Sequence, residues 1–144
     1  MARSSGGRRT PEQARKAIDA LDLKQVLAKA AESYDWSPED AREADRWYRN
    51  FLFVCFKNGP PVAAIGKDAD DLWHVHLMDT VKYRADCEAV FGHFLDHTPL
   101  YGPPGEEEKE AVKATTELYE REFGGLPARI GFVSLYRWPP WRSA

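Results

Sequence analysis

Apolar residues recur along most of this chain at the three-to-four-residue spacing of a helix that buries one side. Thr10-Pro11-Glu12 opens the first such stretch: an N-cap hydroxyl, a proline at the first helical position, then an acid suited to the helix dipole. Ile18, Leu21, Val26, Leu27 and Ala30 mark its apolar side, and Asp22-Leu23 predicts a break into two helices. Ser37-Pro38-Glu39-Asp40 repeats the start chemistry, with Asp40 placed to close a capping box. Ala44, Trp47, Tyr48, Phe51, Cys55 and Phe56 follow at helical spacing, and Asn58-Gly59-Pro60-Pro61 ends the element.

Residues 62–67 read as a loop or short extended piece. An acidic start at Asp68, Asp70 and Asp71 predicts a helix to about Val90 or beyond. Three prolines and two glycines make 98–105 a loop, and Glu106 to Phe123 reads as another helix, closed by Gly124-Gly125. Ile130 to Tyr136 is β-prone. The expectation is an all-α fold: one compact domain of four to five helices over 11–127, with an irregular aromatic and proline-rich tail over 128–144. Residues 1–10, which carry Arg3, Arg8 and Arg9, read as a disordered basic tail.

Composition changes this picture little. With 144 residues, 43% of them hydrophobic and 30% charged, the chain has material for one real core. A net charge of -3 and a pI near 5.8 give no basis for a nucleic-acid partner. No apolar run approaches the roughly 20 residues a membrane helix needs, and no apolar stretch follows the basic start, so neither a membrane span nor a secretory signal is expected. Two cysteines, Cys55 and Cys87, make no disulfide framework, and a cytoplasmic setting is expected.

The distribution of histidine changes it more. All four histidines lie between Asp70 and Pro99, at His74, His76, His93 and His97, in company with Cys87 and the acids Asp70, Asp71, Asp79, Asp86 and Asp96. Imidazole, thiolate and carboxylate are transition-metal ligands, so a metal site over 70–99 is the first hypothesis. On a continuous helix His74 and His76 stand about 200° apart and cannot face one ion. Either the helix begins after His74, or it is distorted there, or the two rings do different work. Convergence with His97 also needs a bend after Val90, for which Gly92 is suited.

The expected ligands are His74, His76 and His97, with Asp71, Asp86 or Cys87 as a fourth ligand or supporting group. His93 reads as a bystander. Tyr83 and Asp86 are the candidate catalytic groups. Cys87 reads equally well as a small buried residue, Asp71 as a helix cap, Asp86 as a partner orienting an imidazole, and Trp73 as core. The ion would be zinc, iron or copper. An open site suits a small metal-dependent enzyme, hydrolytic or dioxygen-activating. The alternative is a non-catalytic interaction module, in which the histidine segment is a structural metal site or a hydrogen-bonded centre. In that case an aromatic surface, or the Trp138-Pro139-Pro140-Trp141 segment as a polyproline-type peptide, meets a protein partner. No dinucleotide fingerprint, phosphate-binding loop, nucleophile elbow or H-E-x-x-H is present.

The run Asp71-Leu72-Trp73-His74-Val75-His76, then Tyr83, Asp86-Cys87, Gly92 and His97-Thr98-Pro99, resembles the glycine-rich domain-containing protein-like family. Trp47, Tyr48, Arg49 and Phe51-Leu52 upstream are similar to that family's aromatic element. The resemblance spans roughly 45–102 and points to a short bacterial stand-alone form without the glycine-rich segment. It implies that Trp73, His74, His76, Tyr83, Asp86, Cys87, Gly92 and His97 form the motif, and it implies no reaction.

Overall fold

A computed structural model describes residues 9–130 and 134–137. Helix α1 (Pro11–Asp19) begins with a full capping box, in which Thr10 Oγ1 accepts from the Gln13 N–H and Gln13 Oε1 accepts from the Thr10 N–H. The chain breaks where Asp22-Leu23 predicted, with Asp22 Oδ1 accepting the Lys24 N–H, and α2 (Lys24–Tyr34) follows. Helix α3 (Pro38–Asn58) starts on the reciprocal Ser37–Asp40 capping box and ends at Gly59, which takes a φ of 71°. Ten of its residues, Ala44 and Trp47 among them, are buried, so α3 is the spine of the core.

The long helix expected after Asp68 is two. Helix α4 (Lys67–Met78) and helix α5 (Thr80–Phe91) meet at Asp79, which leaves helical geometry (φ -89°, ψ 80°) and caps α5 by accepting the Lys82 N–H. A short polar residue that can bond its own backbone downstream competes with helix continuation, and here it prevails. Gly92, in the left-handed region at φ 75°, ends α5 and supplies the anticipated bend. Helix α6 (Glu106–Phe123) packs on α3, with Tyr119 stacked on Trp47 at 5.7 Å and Phe123 edge-on to it at 5.8 Å.

The all-α expectation needs one correction. Three short segments, β1 (Val62–Ala63), β2 (His97–Pro99) and β3 (Ser134–Tyr136), form an antiparallel sheet in the order β1-β3-β2. The register pairs Val62 with Tyr136, His97 also with Tyr136, and Pro99 with Ser134. Strands of two or three residues are too short to carry an alternating pattern, so the sequence offered only a short extended piece at 62–67 and the β-prone patch around β3, and no sign of their pairing. The molecule is therefore mostly helical, six helices with one small sheet among the described residues. The Ala63 N–H donates to Thr115 Oγ1 at 3.0 Å and ties the sheet to α6.

Of the expected tail over 128–144, Ser134–Tyr136 is buried as the central strand. The Trp138–Trp141 segment, like residues 1–8 of the expected basic tail, lies outside the described residues. No helix among the described residues is long and apolar enough to cross a membrane.

Candidate metal centre

Asp70 and His74 are four residues apart on α4, one turn above each other on a single face. The Gly92 turn and the residues after it return the chain so that β2 brings His97 to that face. His74 Nε2 and His97 Nε2 come within 3.0 Å, with the rings inclined at 68°. Asp70 Oδ2 lies 3.4 Å from His74 Nδ1. Each of the three residues offers a ligand atom within 4.8 Å of the other two. Metal–nitrogen bonds of about 2.0–2.1 Å put neighbouring ligands roughly 3.0–3.4 Å apart, so the imidazole pair already has a coordination-edge spacing.

Asp70 is fully buried, and its two oxygens are treated differently. Oδ1 accepts a hydrogen bond from the Ser134 hydroxyl on β3. Oδ2 is buried with no hydrogen-bond partner. A buried carboxylate oxygen without a hydrogen bond is costly, and a bound cation is one way to relieve it. Burial pushes the Asp70 carboxyl up to about 6, against the lowering effects of the Ser134 hydroxyl and of His74. Burial, and then the neighbouring His74, push His97 down to about 4. At neutral pH His97 therefore presents a lone pair. Trp73, wholly buried, packs its ring edge-on against the His97 ring, with centroids 4.5 Å apart.

His76 is not brought to this group. With α4 continuous through both histidines, their angular separation sends His76 into the core, which is the third of the options open in the sequence. Its Nε2 meets Asp86 Oδ2 at 2.8 Å and its Nδ1 meets the Tyr48 hydroxyl at 2.7 Å. An ionised carboxylate only accepts, so Nε2 carries the proton and Tyr48 donates to the Nδ1 lone pair. Asp86 also pairs with Lys82 at 3.1 Å. Burial lowers the His76 pKa, and the Asp86 hydrogen bond acts against that shift.

The remaining candidates have other partners. The Tyr83 hydroxyl accepts from Trp73 Nε1–H at 2.9 Å and donates to the Leu95 carbonyl at 2.6 Å. Asp71 pairs with Lys67 at 2.9 Å. Cys87 is buried, and burial pushes its thiol up to about 11. His93 Nδ1 lies 3.0 Å from the Phe94 carbonyl oxygen, outside the group as expected.

The model of the UCP032817-like family matches residues 13–115, well over half of the chain. The chain belongs to the UCP032817-like family. This uncharacterised family replaces the glycine-rich domain-containing protein-like family suggested by the motif. The residues behind that resemblance include Trp73, His76, Tyr83 and Cys87, which are buried in the helical core; a core pattern of aromatics and small residues does not discriminate between families. No curated protein and no solved structure matches the chain. All three residues of the candidate centre lie inside the UCP032817-like match.

Asp70 does lie in the acidic first turn of α4, as its sequence context predicts, and an acid is ordinary there, so nothing in that context singles it out for the group with His74 and His97. The available signal was its spacing, Asp-x-x-x-His, which puts carboxylate and imidazole on one helical face.

Proposed function

We propose that this protein binds one divalent transition metal ion through Asp70, His74 and His97. The observation that carries this reading is Asp70 Oδ2, a buried oxygen without a hydrogen-bond partner beside two imidazoles whose Nε2 atoms are 3.0 Å apart. Two histidines and one carboxylate form the donor set of iron(II) oxygenase sites and of open zinc sites. Copper(II) is also compatible with nitrogen and oxygen donors. Three protein ligands leave at least one position for water or substrate, and the half-exposed His74 puts the centre within reach of solvent. Such a centre suits metal-dependent chemistry, either by acidifying a bound water or by taking up dioxygen and a substrate together. A closed structural site containing Cys87 has less support, because Cys87 is outside the ligand group.

Metal analysis of the chain purified without a histidine tag is the test. About one metal per chain is expected, lost in Asp70→Asn, His74→Ala and His97→Ala and retained in folded His76→Ala. A metal-free wild-type chain, or equal loss in His76→Ala, overturns the proposal.

A further inference from the structure

Strand β3 touches both ligand-bearing elements. Its Tyr136 pairs across the sheet with His97, and its Ser134, two residues earlier, donates its hydroxyl hydrogen to Asp70 Oδ1 on α4. Ser134 is fully buried, and its backbone is fixed as well: its carbonyl accepts the Ala64 N–H at 3.1 Å, and it pairs in register with Pro99. A hydroxyl carried on a backbone held from both sides is a fixed donor. Ser134 also lies beyond the segment that the family model matches, so this contact comes from the chain's own C-terminal part.

We infer that Ser134 is a positioning residue for the metal centre, holding Asp70 to one-oxygen coordination; this rests on the proposal that Asp70, His74 and His97 bind a metal. A free carboxylate can give a cation one oxygen or both. With Oδ1 engaged by the Ser134 hydroxyl, Oδ2 alone is left toward the imidazoles. The consequence is chemical: a two-oxygen aspartate fills one more coordination position, and the position kept vacant by Ser134 is the one available to water or substrate. Ser134 touches neither metal nor substrate and acts through Asp70.

Cobalt(II) titration of the tag-free, metal-stripped full chain, followed by its visible absorption, tests this. Ser134→Ala should weaken cobalt(II) binding about ten- to a hundredfold and change the absorption bands, while its far-ultraviolet circular dichroism stays wild-type. Ser134→Thr, which keeps the hydroxyl, should recover most of the affinity. A purely structural serine instead lowers the melting temperature and leaves affinity and spectrum unchanged, and that result overturns the inference. Isotope-edited infrared spectra of the unmodified chain decide the matter even where Ser134→Ala does not fold. On cobalt(II) addition, the wide splitting of a one-oxygen aspartate is expected, and the narrow splitting of a two-oxygen one overturns the inference. Wild-type chain that binds no cobalt(II) removes the metal centre altogether; wild-type binding with an unaltered Ser134→Ala removes only the role of Ser134.

Discussion

At the scale of single residues, His74 and His76 show how two positions along one helix separate a half-exposed member of the Asp70–His74–His97 cluster from a core group. His74 has its Nε2 beside another imidazole at the protein surface, whereas both nitrogens of His76 are satisfied inside. Removing the His76 ring takes the buried partner from the Tyr48 hydroxyl and leaves the Asp86 carboxylate with Lys82 alone, so His76→Gln should cost about 1–3 kcal/mol near pH 7.5. Its pH dependence has a definite sign. The folded-state pKa of His76 is lowered by burial. Below about 6.5, the ordinary imidazole value, the unfolded chain takes up a proton on this ring that the folded chain resists. The contribution is complete above that pH and declines as the solution becomes more acidic. Asp70, raised by burial, acts in the opposite sense, so the comparison with the variant is needed to isolate His76. The gap in urea-unfolding free energy between wild type and His76→Gln should narrow from pH 7.5 to 5.5. A gap that is constant or widens contradicts the hydrogen-bonded neutral imidazole.

Among the secondary-structure elements, those with strong end signals were legible and those made by pairing were not. Thr10-Pro11 and Ser37-Pro38 announced α1 and α3 because an N-cap followed by proline is local chemistry. The sheet joins residues near 62, 98 and 135, and no local pattern reports a pairing across such distances. The break at Asp79 was missed because an aspartate within a helical run is ordinary until its side chain caps the next helix. For the site, the histidine cluster and the Gly92 bend were readable. Which rings converge was not, since that depends on the continuity of α4 through His74 and His76. Packing between elements has its own test at Arg49. This α3 side chain donates to the carbonyls of Ile18 (2.6 Å) in the last turn of α1 and Leu21 (3.2 Å) in the break that follows, while paired with Asp45 at 2.8 Å. Arg49→Met leaves those carbonyls without their charged donor and should cost about 2–3 kcal/mol in urea unfolding, with the fastest amide exchange gained in α1. Arg49→Lys should recover only part, because one ammonium cannot reproduce the fork of three donors. Full recovery by lysine argues against the fork.

For the whole molecule, a metal at Asp70, His74 and His97 would clamp α4 to β2, and through Ser134 to the central strand β3. These pieces come from distant parts of the chain, so unfolding must release the ion. A ligand that binds only the folded state adds about 2.7 kcal/mol at a free concentration one hundred times its Kd. For a chain of this size that corresponds to a melting temperature higher by roughly 5–10 °C. The rise should grow with the logarithm of free zinc(II). It should vanish in Asp70→Asn, which retains the shape of the side chain but loses the charge. It should persist in His76→Gln at a lower baseline, because that ring supports the core and not the ion. An equal rise in Asp70→Asn would mean that zinc stabilises the fold from elsewhere, leaving the three residues as a hydrogen-bonded cluster on α4 and β2.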